Sequence, residues 1–382
     1  MLQQDSPTRS RSDAPPAAGA LRAVRAWLLA VAALIFVMAI VGGATRLTES
    51  GLSITQWRPV TGVIPPLSQT EWAEEFARYR QIPQYSALNA DMTLDGFETI
   101  FYWEWSHRLL ARLIGAAFVL PALWFWRRGR FTGALARPIA VATGLLALEP
   151  VVGWWMVSSG LAERTEVAQE RLALHLLIAA ATFGALTYAA AGLKERPHET
   201  AGAGFAAAAG ALAALIFCQV GLGALVAGLR AGLTFNTWPL MDGRLIPVGV
   251  FALAPWPRSI VDDPTTAQFD HRFVAYAVVA ATLAYALAAR RRAPRSSLAR
   301  RAGALAALAI LQTALGIVTL IRVTPIEFAL AHQAVALLLF GMAVANWRVT
   351  GMERRGADGA MTAAFVDAAR RDPSRSPERQ AR

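Results

Sequence analysis

Eight stretches of about twenty predominantly apolar residues run through this chain, at roughly 26–45, 101–125, 138–159, 172–193, 204–229, 268–289, 302–321 and 327–347. Inside a bilayer each backbone N–H and C=O must be bonded within its own segment, so every stretch is expected as a helix. The expected fold is an all-α integral membrane protein with eight transmembrane helices. The first stretch carries no charge and leads into no small-residue cleavage pattern, so it reads as a retained anchor.

Charge supplies the orientation. Arg9, Arg11, Arg22 and Arg25 precede the first stretch, and Arg127, Arg128 and Arg130 follow the second. Lys194 and Arg196 follow the fourth, Arg290, Arg291, Arg292 and Arg295 the sixth, and Arg348, Arg354 and Arg355 the eighth. Every second loop is basic, which predicts a multi-pass protein of the bacterial inner membrane with both termini in the cytoplasm. Only 16% of residues are charged, against about a quarter in soluble domains, and the net charge of +11 is spent beside the spans. Nucleic-acid binding is therefore not expected. The lone Cys218 excludes an internal disulfide and argues against a cysteine-ligated metal site. Residues 1–24 and 349–382 read as cytoplasmic tails, disordered by composition.

The spans repeat. Gly51, Trp57, Gly62 and Pro66 after the first span match Gly232, Trp238, Gly243 and Pro247 after the fifth, all at an offset of 181. His107 and His271 are 164 positions apart, Gly153 and Gly316 163, and His175 and His332 157. The order predicts two tandem, pseudo-symmetric four-helix bundles, 25–196 and 197–348.

An ionisable or metal-binding residue is costly in a membrane and is functional by default. His107, His175, His271 and His332 all stand near the outer ends of inward-running spans, whereas His198 lies in a cytoplasmic loop without a repeat partner. Two histidines per bundle suit the axial ligation of one haem iron each; non-haem iron would prefer carboxylates. Arg108 and Arg272 directly follow two of the histidines and are expected to neutralise haem propionates.

Glu104 lies one helical turn before His107, where the other half has Gln268. It reads either as part of an ion ladder with Arg108 and Arg112 or as a carboxylate held beside the haem edge. The asymmetry favours the second reading and marks the first bundle as the reactive one. Glu149, before Pro150 in the third span, has Gln312 at its repeat position. It is either functional or a hydrogen-bonded carboxyl at a kink. The boundary tryptophans, among them Trp57, Trp103, Trp154 and Trp238, are explained by an interfacial belt.

The strings GGATRLTESGLSITQWRPVTGVIPPLSQTEW, FYWEWSHRLLARLIG, GWWMVSSGL and AGLRAGLTFNTWPLMDG resemble the haem A synthase family, in its alphaproteobacterial and mitochondrial kind without paired loop cysteines. The resemblance covers roughly residues 25–348. Glu149–Pro150 departs from it, since a Gln–Gly pair is expected before GWWMV. The resemblance implies an oxidoreductase that converts the C8 methyl of haem O to the formyl of haem A, for terminal cytochrome oxidases. It implies that His107 and His175 hold the substrate haem, that His271 and His332 bind a permanent haem b, and that Glu104 is catalytic. Haem O, supplied by a haem O synthase, an electron-transfer partner and membrane lipid are the expected partners, and a homo-oligomer is compatible. The alternative is a dihaem b-type cytochrome that only carries electrons; a transporter would instead use broken helices with midplane sites.

Overall fold

The computed structural model describes residues 18–131, 133–193 and 202–371. Its helices are α1 (Ala18–Leu47), α2 (Gln69–Tyr79), α3 (Pro83–Leu88), α4 (Leu94–Arg127), α5 (Gly133–Ser158), α6 (Gln169–Ala191), α7 (Ala203–Gly228), α8 (Pro257–Asp262), α9 (Pro264–Arg292), α10 (Ser297–Ile321) and α11 (Ile326–Arg371). Eight of them, α1, α4–α7 and α9–α11, are long and apolar enough to cross a bilayer. The chain is an all-helical, multi-pass membrane protein.

Hydropathy located the spans, but the helix ends are set by caps. Thr93 accepts from the Gly96 amide and starts α4 well before residue 101. Asp263 accepts from the Thr265 and Thr266 amides and starts α9, with Pro264 at its first position. As a result His107 lies in the fourth turn of α4, deeper than the one or two turns expected. His175, His271 and His332 lie within about two turns of their helix starts. Helix α1 begins at Ala18 and α11 continues to Arg371, both reaching into segments expected as tails; alanine-rich sequence with arginine and glutamate favours helix there. The expected boundary at 196/197, His198, Lys194 and Arg196 lie outside the described residues, as do Arg9 and Arg11.

Helices α1, α6, α7 and α11 form the centre. Helix α1 packs on α4, α6 and α11, and α7 packs on α6, α9 and α11, while α6 also meets α11. The peripheral helix α5 packs on α6, and α10 on α11. One apolar core, from Val24 to Val344, runs through all of these elements. The centre is built by reciprocal contacts of the kind that a two-fold axis produces. The Gly184 backbone faces the Phe340 ring, and the Gly341 backbone faces the Phe183 ring.

A second reciprocal contact lies at the end of the molecule that carries the histidines. Glu49 and Arg230, 181 positions apart, both adopt left-handed backbone just beyond the ends of α1 and α7. Arg230 Nη2 lies 2.5 Å from Glu49 Oε1 and also contacts Glu166, which in turn lies 2.5 Å from Arg46. Burial works against the charge of Arg230, but hydrogen bonds to Glu49 and Glu166 outweigh it and raise its pKa above the usual arginine value.

Two departures from symmetry bear on function. The loop after α1 is covered by α2 and α3; Trp72 and Tyr79 of α2, with Ile82 at the start of α3, pack with Leu52, Phe97 and Phe101 in a separate cluster rich in aromatics. Helix α2 opens with a capping box, Ser68 accepting from the Glu71 amide and Glu71 accepting from the Ser68 amide. The other departure is at the periphery: α9 packs closely along α10, whereas the equivalent α4 and α5 scarcely touch.

Candidate functional site

Each of the four half-buried histidines rests against a glycine of a neighbouring helix. His107 lies on Gly42 of α1, His175 on Gly153 of α5, His271 on Gly223 of α7 and His332 on Gly316 of α10. A Cβ at any of these glycines would stand 2.7–3.1 Å from the imidazole, inside ordinary contact distance. Glycine is needed here for close approach of ring and backbone, since all four positions are helical. One turn before three of these glycines stands a second neighbour of the ring: Glu149 for His175, Gln219 for His271 and Gln312 for His332.

In the second half the ring centres of His271 and His332 are 6.4 Å apart. A metal ion shared by two imidazoles sits about 2 Å from each nitrogen, which puts the ring centres about 6 Å apart once the ring radius is added. The observed spacing fits one iron between them. His332 Nδ1 lies 3.1 Å from the main-chain oxygen of Gln312. Only a protonated Nδ1 can satisfy that carbonyl, so Nε2 keeps the lone pair. The Gln312 amide nitrogen, 3.3 Å from Nε2, agrees with that tautomer. Gln219 donates to the His271 carbonyl at 2.9 Å and lies 3.0 Å from His271 Nδ1.

In the first half His107 and His175 are within electrostatic range of each other. The neighbour of His175 is different in kind: Glu149 Oε2 stands 2.5 Å from His175 Nδ1. The approach is short but its angles depart from those of a straight hydrogen bond. Neither Glu149 oxygen, nor His175 Nδ1, forms a regular hydrogen bond among the described residues. Among those residues no group of three or more His, Cys, Asp or Glu side chains converges to hold a bare metal ion. Two imidazoles need the remaining ligands from the bound group itself, as a porphyrin provides.

The two arginines are tied to main-chain carbonyls of the loops. Arg108 donates to the carbonyls of Ile54 and Gln56 at 2.8 and 2.9 Å. Arg272 donates to the carbonyls of Phe235 and Thr237 at 2.8 and 2.9 Å, the same two positions of the repeat. Each arginine straps the conserved-offset loop across its own half. Arg112 extends the strap to Arg58 and Pro59.

Glu104 belongs to this strap. It is buried, and its carboxylate accepts from Ser53 Oγ at 2.8 Å, the Ile54 amide at 2.7 Å and Arg108 at 2.6 Å. Its repeat partner Gln268 is equally buried and donates to the Phe235 carbonyl at 3.0 Å. Both residues bind the strap, yet only the first half gains a carboxylate, which neutralises Arg108. Among the described residues Arg272 makes no such ion pair, and its carboxylate neighbour is Asp242, at longer range. Over the first strap opens a cavity of about 360 Å³ lined by Ile54, Gln56, Arg58, Trp105, Arg108 and Arg112. Trp105 Nε1 and Arg112 Nη1 are buried at its wall without a hydrogen-bond partner among the described residues, and Glu71, Glu74 and Glu75 line the same cavity. Trp57 of the strap stacks on Trp154, with ring centres 5.9 Å apart.

Sequence reasoning passed over Gly42, Gly223, Gln219 and the main-chain role of Gln312. The signal for the two glycines was present, since they lie at the same offset of 181 as the loop motif. The glutamine contacts had none, because helix rotation decides which residue meets a histidine.

The matching family model is that described as COX15-CtaA, cytochrome oxidase assembly protein, over residues 25–344. A protein named heme A synthase from Rhodopseudomonas palustris (strain BisA53) is 53% identical over 330 residues, covering 86% of this chain and 91% of its own. Similar proteins of the same name occur in Mesorhizobium japonicum, 49% identical with 86% and 90% covered, and Chelativorans sp. (strain BNC1), 50% identical with 86% and 91% covered.

Proposed function

The chain belongs to the COX15-CtaA family of cytochrome oxidase assembly proteins, and from that premise we propose that it is a haem A synthase. In this reading it is an oxidoreductase that converts the C8 methyl group of haem O to a formyl group, giving haem A for terminal cytochrome oxidases. The observation that carries the reading is the set of four membrane-embedded imidazoles, each seated on a glycine and divided between two halves. A methyl-to-aldehyde conversion removes four electrons, which suits two successive hydroxylations and loss of water from the geminal diol.

We assign two bundles, 25–196 and 197–348, with different tasks. His107 and His175 hold the substrate haem, and His271 and His332 hold a resident haem b. The haem b supplies a one-electron site beside the reaction. The 6.4 Å spacing supports the second pair, and Glu104 and Glu149 support giving the chemistry to the first. Glu104 fixes the strap through Ser53 and Ile54 and presents negative charge near the reacting edge, where developing positive charge is stabilised. Arg108 and Arg272 bring positive charge towards propionates while their side chains stay tied to loop carbonyls. The loose α4–α5 contact supports a substrate site that opens sideways to lipid, as a long isoprenoid tail requires.

The basic loops support a topology with both termini in the cytoplasm and the haem sites towards the periplasmic side of the inner membrane. Delivery by a haem O synthase, an external electron-transfer partner and self-association complete the reading. The competing assignment is a dihaem b-type cytochrome. Extraction of the haems from purified protein and their identification by mass separates the two. Haem b together with haem O, haem A or a hydroxylated form is expected; haem b alone in both halves would overturn the enzyme assignment.

A further inference from the structure

We propose that Glu149 is a positioning residue that sets the electron-donating strength of His175, so that a haem held in the first half has a lower reduction potential than one held by His271 and His332. This rests on the assignment of His175 as an iron ligand. Glu149 and Gly153 are one turn apart on the same face of α5, and the His175 ring is held by both. The carboxylate takes Nδ1, which leaves Nε2 as the coordinating nitrogen. Glu149 Oε2 and His175 Nδ1 are in polar contact at 2.5 Å, and neither forms a regular hydrogen bond among the described residues, so carboxylate and ring nitrogen remain available to pair with each other. A charged group inside a membrane is retained where it has such a partner.

The repeat supplies an internal comparison. At the position equivalent to Glu149, Gln312 also engages the Nδ1 of its histidine, but through a neutral main-chain carbonyl. An ionised acceptor forms a stronger hydrogen bond than a neutral one. A stronger acceptor on the far side of the ring raises the basicity of the ligating nitrogen, and electron donation from axial ligands and their hydrogen bonds is a principal control of haem potential. Glu104 acts in the same direction by pairing with Arg108 at 2.6 Å, a direct ion pair that Arg272, with Asp242 only at longer range, does not make among the described residues. Thus both carboxylates of the first half are replaced by glutamines in the second, and each replacement favours the reduced state of the second haem.

The test is a spectroelectrochemical titration of the full-length protein carrying its native haems, with the low-spin ferric electron paramagnetic resonance signals recorded in parallel. In Glu149→Gln, with haem content retained, the midpoint of the first-half haem should rise and its resonance should shift, while the second-half midpoint stays in place. Glu149→Asp keeps a carboxylate and should remain nearer the parent in both readouts. An unchanged first-half midpoint and resonance in Glu149→Gln would overturn the proposal. Should Glu149→Gln lose the first-half haem, retention in Glu149→Asp would support the carboxylate's role, and equal loss from both would count against it. His175→Ala tests the underlying assignment separately: if it leaves the first-half signal unaltered, His175 is not a ligand, whatever Glu149 does.

Discussion

Replacing Glu104 by alanine and replacing it by glutamine ask different questions. Alanine leaves the buried Ile54 amide without its acceptor, at a cost of about 1–3 kcal/mol, and takes the counter-ion from Arg108, while Ser53 Oγ keeps the Ile100 carbonyl. Glutamine reproduces the side chain that the second half uses at Gln268: its one oxygen can still accept from Ser53 and Ile54, while the charge and the acceptor for Arg108 are removed. Glu104→Gln should therefore keep both haems and lose most conversion of haem O, read by chromatography of extracted haems from cells. Normal haem A production in that variant would remove the Glu104 charge from the mechanism. Glycine is as restrictive at the neighbouring contacts. A Cβ at residue 316 would lie 2.7 Å from His332 Cε1, so the ring or the helix must shift. Gly316→Ala should deplete the second-half haem while sparing the first, with the loss seen in the absorbance of the purified protein. Equal depletion of both would show that the seat of each ring is not local to its half.

At the scale of elements, the histidine helices are supported by straps rather than by the bilayer alone. The strap between α1 and α2 is tied to α4 by Arg108 and Arg112, and is roofed by α2 and α3. Ser68 closes the capping box of α2, and Ser68→Ala should cost about 1 kcal/mol locally. The measurable result is faster amide exchange over residues 69–79, with haem content unchanged. The histidine pairs divide in the same way between elements. His107→Ala on α4 should impair the first site, and His271→Ala on α9 should cost chiefly haem b. Loss of both haems from either variant alike would argue against two separate sites.

For the molecule as a whole, the two halves share one core and are joined by contacts that repeat across a pseudo-two-fold axis. Glu49 and Arg230, equivalent positions in the repeat, pair directly, and Glu166 bridges Arg230 to Arg46. Arg230→Ala removes the centre of this clasp and leaves Glu49 and Glu166 facing each other without it. The expected outcome is a lower thermal midpoint of the solubilised protein with both haems still bound. An unchanged midpoint would show that the apolar centre, with its Gly184–Phe340 and Gly341–Phe183 contacts, holds the halves together unaided.

Span number, the repeat and the four histidines were legible in the sequence because each is written locally. An apolar run of given length dictates a membrane helix wherever it stands, and a constant offset survives without knowledge of any contact. The caps at Thr93 and Asp263 were equally visible, but hydropathy hides them by ending where the apolar run ends. What faces each histidine was a different matter. Glu104 stands one turn from His107 in sequence, yet its carboxylate turns to Ser53 and Ile54. Glu149 is far from His175 in sequence, yet reaches its ring. The rotation of each helix about its own axis and the register between neighbours arise from packing across α1, α5, α7 and α10. Spacing along one chain does not encode them, and so the chemical difference between the two halves was decided only by the tertiary structure.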